Sequence, residues 1–356
     1  MDIGAVNTGY SHTKWRYKLR QGLMASVRGP ADADFYSDTV SEDTIALITL
    51  DSRGDPVEPS QVWFVGQEAV EQSVTLSRRE NRGWIYSEEY RMLWHAAFSE
   101  MTTQFRPVKL RVVTGLPVNY FREQRDDLQE WLEQEHRVKR VGRSTQSFTI
   151  EEAYVMPELL GILYALTLTP EGREVDNIIS QGRVGVLDWG GHNTGFLVAD
   201  QMKPIRRRSR SIDVGCWTAI DMVSSALDDQ YPGHGYRDHE IIDLMVSKTI
   251  KWRGRPHDIG GIVDTAIGAV TGQIFGVMSR IWDERLDLVV AGGGGVHVPL
   301  IVDLIREEYP QPDYPDYYVQ VLGGELLEDL RPLAGGLDPV FGNVEGMYRY
   351  GLYRWG

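Results

Sequence analysis

Apolar positions along this chain follow two periods that alternate with one another. Val108–Thr114, Arg183–Asp188 and Leu286–Ala291 are short, largely apolar runs that read as strands buried in a sheet. Ser87–Gln104 instead places Tyr90, Leu93, Trp94 and Ala97 at helical spacing, so it reads as a helix packed on a sheet. In the first half, Gly9–Tyr17 and Lys18–Val27 form an expected hairpin, Thr44–Leu50 a β-like run and Gln61–Val65 a strand, and Glu68–Ser77 turns helical. Asn119 is placed to cap a charged helix through Glu135. Phe148–Val155 alternates as a strand and runs through Pro157 into the helix Glu158–Leu168. In the second half, Asp213-Val214-Gly215 opens a helix through Leu227, followed by helices over Asp238–Lys248, Ile262–Trp282, Val298–Glu308 and Asn343–Tyr353, with a short strand at Tyr318–Val321. Strands alternating with helices in each half imply two α/β domains, residues 1–182 and 183–337. The first carries a small subdomain over about 29–75 and is closed by a helix over about 338–356; the second carries a helical subdomain over about 216–280.

An octapeptide sharpens the picture. Asp2-Ile3-Gly4-Ala5-Val6-Asn7-Thr8-Gly9 and Asp188-Trp189-Gly190-Gly191-His192-Asn193-Thr194-Gly195 lie 186 residues apart and share Asp, Gly, Asn, Thr and Gly in equivalent places. Asp-x-Gly turns are common in hairpins, so one copy would carry little weight. Two copies, near the starts of two chain halves, point to duplicated domains facing each other. Glycine admits close backbone approach, and N–H groups with Thr or Asn side chains cradle phosphate oxygens. Candidate phosphate contacts are Gly4, Ala5, Val6, Asn7 and Thr8 in the first copy, and Gly190, Gly191, His192, Asn193 and Thr194 in the second. The leading acids, Asp2 and Asp188, are candidate magnesium ligands acting mostly through water. Two unrelated β-turns matching by chance is the plain alternative.

Gly292-Gly293-Gly294 follows a buried strand and precedes a helix, where small residues let a flat ring approach the backbone. A tight turn with no ligand is the alternative there. Asp213 and Gly215 are placed to line a ribose or to serve as an ordinary N-cap.

Composition excludes some classes. A net charge of −14 argues against broad nucleic-acid binding through the bare surface. The one local exception, Arg206-Arg207-Arg208-Ser209-Arg210, reads as an exposed hairpin arm beside a Met-Lys-Pro turn, with a DNA or subunit contact as the alternative. The longest apolar stretch, Leu159–Leu168, is too short to span a bilayer, and no secretory signal is evident. The only cysteine, Cys216, rules out an intramolecular disulfide and fits a reducing cytoplasm.

Taken in order, these residues resemble the actin-fold ATPase superfamily, and within it the bacterial, plasmid and archaeal actin-like filament proteins of the ParM/StbA type. The match is carried by the loop from Asp2, by Thr114-Gly115-Leu116-Pro117 with Tyr120, by Val155-Met156-Pro157-Glu158, by the loop from Asp188 and by Ala291-Gly292-Gly293-Gly294. Phe341-Gly342-Asn343-x-x-Gly346-Met347-Tyr348 looks like the closing helix. The resemblance implies an α/β, actin-like fold of two duplicated domains with small inserted subdomains and a nucleotide cleft between the domains. It implies ATP or GTP with Mg2+, a catalytic set of Glu158, Asp188 and Asp2 in which Glu158 orients the attacking water, and Glu240 on a nucleotide-flanking helix. It implies a head-to-tail filament of the protein itself, disassembled by hydrolysis, serving plasmid segregation through a DNA-binding adaptor or acting as a bacterial cytoskeletal element. No direct nucleic-acid contact is then required.

Three departures stand out. Gly9 occupies the place where many actins carry a phosphate-contacting Lys, and Asp243 stands where the nucleotide-flanking helix often has Lys. The chain also starts almost on the loop, which predicts a clipped first strand or a true start upstream. Alternatives to a filament are a non-polymerising actin-fold ATPase, chaperone- or reactivase-like, and a small-molecule kinase. Met347–Gly356 also has the composition of a membrane-surface helix, a pattern that a closing helix shares.

Overall fold

A computed structural model of the protein describes all residues except 32–43, 52, 79–82, 103–106, 283–284, 309–318 and 325. The chain divides into two compact units, residues 1–175 with 341–356 and residues 176–340.

In the first unit, β1 (Asp2–Thr8), β2 (His12–Tyr17) and β3 (Arg20–Ala25) form an antiparallel meander. A small four-stranded sheet follows, in the order β5-β6-β4-β7, from β4 (Val27–Pro30), β5 (Ala46–Ile48), β6 (Val62–Val65) and β7 (Ser77–Arg78), with α1 (Gln67–Gln72) beside it. Then come α2 (Glu88–Met101), β8 (Val108–Leu116), α3 (Phe121–Leu132), β9 (Glu135–Val138), β10 (Gln146–Pro157) and α4 (Leu160–Thr167). The main sheet runs β3-β2-β1-β8-β10-β9, with β8 parallel to both β1 and β10. The aromatic stripe expected on α2 is its core face, with Trp94 and Phe98 fully buried. Ser87 starts that helix by accepting the Tyr90 N–H at 3.2 Å, one donor that the first turn leaves unpaired.

The second unit repeats the plan. It contains α5 (Ile178–Gln181), β11 (Arg183–Trp189), β12 (Thr194–Asp200), β13 (Lys203–Pro204), β14 (Arg210–Ile212), α6 (Cys216–Gln230) and α7 (Asp238–Ser247). It continues with β15 (Thr249–Trp252), β16 (Arg255–Asp258), α8 (Gly260–Ile281), β17 (Leu288–Gly292), α9 (Pro299–Glu308), β18 (Val319–Val321) and α10 (Arg331–Ala334). Its sheet runs β13-β12-β11-β17-β18, with β11–β12 antiparallel and β11–β17 and β17–β18 parallel. Each unit thus joins an antiparallel hairpin to parallel strands. The apolar side chains of β11 and β17 are buried: Val184, Val186, Leu187, Val289 and Val290 are all at most 1% exposed, as the continuous apolar runs require.

Several boundaries differ from the sequence pattern. Tyr120, not Asn119, precedes α3, with no side-chain cap, and Glu135 belongs to β9. Helix α1 stops at Gln72, and Ser77 opens a strand. Pro157 closes β10 rather than opening a helix. Arg206–Arg208 form a 3-10 turn between β13 and β14, not a strand. Gln104 and Tyr318, expected at element ends, lie outside the described residues. The expectation that no apolar segment is long enough to cross a bilayer is also corrected: among the described residues, α8 alone reaches that length and hydropathy. It carries Asp264, paired with Lys248 at 2.6 Å, and buries Val263, Ile267, Val270, Ile274 and Met278 within the unit.

The closing helix α11 (Gly342–Trp355) returns to the first unit and crosses α4 backbone to backbone. A Cβ on Gly346 would fall on the Gly161 carbonyl, and one on Gly161 would meet the Asn343 backbone. Arg349, 5% exposed, ties the crossing: it donates to the Ala165 and Leu168 carbonyls at 2.8 and 2.9 Å and pairs with Glu345 at 2.8 Å. The guanidinium thereby satisfies carbonyls that the end of α4 leaves without helical partners. Gly346→Ala should therefore destabilise the protein by about 1–3 kcal/mol or more, the range for forcing volume into a packed interior. Equilibrium denaturation checks this, and unchanged stability would show that the crossing relaxes.

Candidate functional site

The duplication is real, but its register is not that of the octapeptide. Strand pairing sets Thr8 opposite Thr13 and Trp189 opposite Thr194. Both turns close with the same bond, Gly9 N–H to the His12 carbonyl at 3.1 Å and Gly190 N–H to the Asn193 carbonyl at 3.0 Å. Asn7-Thr8-Gly9-Tyr10-Ser11-His12-Thr13 is therefore the counterpart of Asp188-Trp189-Gly190-Gly191-His192-Asn193-Thr194, five residues away from the alignment that the shared letters suggest. Asn7, not Asp2, stands where Asp188 stands.

This corrects four placements. Asp2 starts β1, six residues and on the order of 20 Å from the end of its strand. There it accepts the Tyr17 hydroxyl at 2.5 Å and pairs with Lys18 at 2.9 Å. Partial burial raises its pKa, but those two partners outweigh burial and hold the carboxyl below its ordinary value. Gly4, Ala5 and Val6 lie buried inside the strand, Gly4 against Met101. Asp2–Thr8 is itself the strand that leads into the turn. Lys14 on β2 brings a cation to this turn, its Nζ lying 3.7 Å from where a Gly9 Cβ would stand. The equal spacing of Asn7, Gly9 and Thr13 with Asp188, Gly190 and Thr194 is the signal that would have found it.

Around the first turn, the carboxyl ends of β8 and β10 come together. Met156 pairs with Gly115 and Pro157 with Leu116, so Gly-Leu-Pro and Met-Pro-Glu are neighbouring ends of two parallel strands. Glu158 follows directly, its N–H donating to the Leu116 carbonyl at 2.9 Å. A Cβ on Gly115 would stand 2.8 Å from the Glu158 Cα, so only glycine fits beneath it. The Asn7 amide donates to a Glu158 carboxylate oxygen at 3.1 Å, joining this strand end to the turn. The Gly9 carbonyl accepts the Ser26 hydroxyl at 2.7 Å, and Ser26 also bonds the buried Thr13 at 2.9 Å.

In the second unit, helix α6 performs the equivalent task. The N–H groups of Cys216 and Trp217 donate to the Gly190 and Gly191 carbonyls at 3.2 and 2.7 Å, and Thr194 donates to the Val214 carbonyl at 2.7 Å. A Cβ on Gly215 would lie 2.5 Å from the Gly191 carbonyl oxygen, which explains the glycine. In a trans peptide the N–H points opposite its C=O, so the Gly191 and His192 N–H groups point away from α6. Gly292 ends β17, and Gly293 turns with φ of 85° beside the Asp188 carboxylate and the Trp189 carbonyl. Gly294 is exposed and Gly295 packs on the Trp189 ring. A cleft of about 300 Å³ adjoins the run, lined by Val296, His297, Val302, Leu322 and Pro339 among others. The structure thus brings together Asp188, Gly190, Gly191, Gly215, Gly292 and Gly293. His192 is exposed on the turn and Asp213 is exposed before α6. Glu240 caps its own helix, accepting the Arg237 N–H at 2.8 Å. Burial pushes the Cys216 thiol up to about 11, so it is no nucleophile at neutral pH. Among the described residues no three His, Cys, Asp or Glu side chains gather into a metal-holding group.

Residues 1–161 match the family described as "Actin like proteins N terminal domain", and residues 186–300 match "Archaeal actin homologue MreB-like, C-terminal". Both family models describe actin homologues, and the chain has an actin-like fold. Solved structures agree on the fold over nearly the whole chain. An archaeal actin homologue in complex with ADP is 19% identical, with a TM-score of 0.75 over 99% of this chain and 100% of that one. A ParM from a 15-stranded filament of Clostridium botulinum is 18% identical, with a TM-score of 0.73 over 98% of each chain. Bacillus thuringiensis ParM with AMPPNP is 13% identical, with a TM-score of 0.67 over 99% of each. No curated protein matches the sequence.

The packing of Gly293 yields a direct test. Gly293→Ala adds a methyl group onto Asp188 at a φ that non-glycine residues rarely adopt, whereas the nearest neighbour of a Cβ on Gly294 is Val340 at 3.9 Å. Gly293→Ala should lower the melting temperature by several degrees and Gly294→Ala should not, on the usual scale of about 1–3 kcal/mol for a strained backbone position. Equal melting temperatures would show that the turn yields freely.

Proposed function

We propose that the protein is an actin-like nucleoside triphosphatase that binds ATP or GTP with magnesium, polymerises head to tail, and uses hydrolysis to destabilise the polymer. The observation that carries this reading is the pair of turns closed in one register, with Glu158 held at the first and Asp188 beside the second. We assign phosphate contacts to Thr8, Gly9–Ser11 and Lys14 in the first unit and to Gly190–Thr194 in the second. Asp2, Gly4, Ala5 and Val6 take no part. N–H groups at tight turns bind anionic oxygens, and an ammonium adds charge neutralisation. The glycines at Gly292–Gly294 and the cleft beside them suit a flat purine ring, and Asp213 and Gly215 suit its ribose.

Magnesium would be held by Asp188 and phosphate oxygens, with water filling its other positions; when bound, it neutralises charge developing on the transferred phosphoryl group. A single carboxylate fits that ion, which keeps several waters, better than an all-protein cage would. Glu158 orients the attacking water, the role phosphoryl transfer most needs from the protein. Residues in contact with the nucleotide take part in binding, whereas Glu158 acts in the chemical step. Asp188→Ala should therefore weaken magnesium-dependent nucleotide binding and hydrolysis together, while Glu158→Ala should slow turnover on the order of 100-fold with binding retained. Nucleotide titration beside phosphate release separates the two, and normal hydrolysis in either variant removes that residue's role.

Filament formation is supported by the fold shared with the ParM filament protein. A head-to-tail contact pairs two different faces and extends without limit unless rotation closes it. The sole cysteine fits a cytoplasmic polymer, and the acidic net charge suits cargo such as plasmid DNA held through a separate adaptor. Adding ATP or GTP with magnesium should raise light scattering and give pelletable filaments above a critical concentration, with ADP giving shorter-lived assembly. Because each subunit carries −14, magnesium or moderate salt should promote assembly by screening over about a Debye length. A chain that hydrolyses nucleotide yet sediments as a monomer under all these conditions would be the non-polymerising ATPase or the kinase instead.

A further inference from the structure

The two turns are equivalent in backbone and differ at one telling position. Where the second carries Asp188, the first carries Asn7, 1% exposed and bonded through its amide Nδ2 to Glu158 Oε1 at 3.1 Å. We infer that Asn7 is a positioning residue for the Glu158 carboxylate, and that Glu158 is the reason this turn carries an amide in place of an acid.

The chemistry of the contact requires it. An ionised carboxylate only accepts hydrogen bonds, so a group holding it must donate. Aspartate, the residue used at the same register in the second unit, would set two anionic groups about 3 Å apart, an arrangement in which both cannot remain ionised. Asparagine has the same shape and supplies the donor. Glu158 is held from its own backbone as well, by its N–H to the Leu116 carbonyl and by its carbonyl to the Gly161 N–H at 3.0 Å. Main chain and side chain are therefore both fixed, leaving little torsional freedom for the carboxylate. The consequence is a division of labour between the repeats. The first turn supplies a neutral amide that aims a carboxylate, with Lys14 as its cation, and the second supplies the acid on which a divalent ion can rest.

This inference rests on the proposed role of Glu158, and its test separates the two. A packing role for Asn7 makes Asn7→Asp, which preserves shape, milder than Asn7→Ala, which leaves a hole. A positioning role reverses that order, because Asp adds repulsion to the lost donor. Steady-state hydrolysis should fall at least about 10-fold in Asn7→Asp, less in Asn7→Ala, with KM changed less than about 3-fold, the pattern of a group felt mainly in the transition state. In a Glu158→Ala background the Asn7→Asp substitution should change turnover less than about 2-fold, since no carboxylate remains to repel. The same four proteins compared by melting temperature read the pairing without any turnover: Asn7→Asp should lower it with Glu158 present and much less without. Additive effects in both readouts, or Asn7→Asp as active as wild type, overturn the inference. A wild type that shows no hydrolysis while the melting temperatures still couple strikes the proposed activity and leaves the pairing standing.

Discussion

Hydrogen bonding between β1 and β2 sets Thr8 opposite Thr13, and that register decides which side chains can reach the turn. Successive strand residues point to opposite faces, so a shift of the pairing by one residue would exchange the buried and reachable sets. The same constraint in β11 and β12 sets Trp189 opposite Thr194. The glycines, the buried threonines and the bonds on the turn carbonyls all follow from it. Ser26 engages the Gly9 carbonyl in one unit and the start of α6 engages those of Gly190 and Gly191 in the other. Two different partners thereby hold one backbone shape.

Much of this was legible in the sequence. Buried parallel strands announce themselves as unbroken apolar runs, and the aromatic spacing of α2 marks its core face. The ends of Gly-Leu-Pro and Met-Pro-Glu were recognisable by resemblance, and strand pairing shows why they occur together: they are adjacent ends of β8 and β10 beneath Glu158. The register of the repeat was not legible. Asp, Gly, Asn, Thr and Gly recur at a spacing of 186, yet identity of letters says nothing about which residue faces which across a hairpin. Gly4 resembles a turn glycine in sequence but packs against Met101 inside a strand. Helix boundaries failed for a related reason, because Asn119 and Pro157 have strong local preferences that the neighbouring strands override.

Sequence also conceals how tightly each turn is packed through absent side chains. Gly115 makes room for Glu158, Gly215 for the second turn, and Gly293 for Asp188. Each lies where a strand or helix ends, so close backbone approach and the polar groups of element termini coincide. The asymmetry of Asn7 and Asp188 sits on this shared frame. Duplication supplied one backbone geometry twice, and a single amide in place of an acid lets the two copies do different work.

The return of α11 to the first unit has a consequence for biosynthesis. The second unit is continuous in the chain, whereas the first lacks the helix that crosses α4 until after residues 176–340 have been made. Domains ordinarily mature on the ribosome in the order of their synthesis. Here that order is inverted: the unit begun first is finished last. Until then the Ala165 and Leu168 carbonyls await Arg349, and the apolar face beneath α11 stands open. A nascent chain stalled before Gly342 would therefore present a half-built first unit, a natural client for chaperones, alongside a second unit whose sheet is already complete.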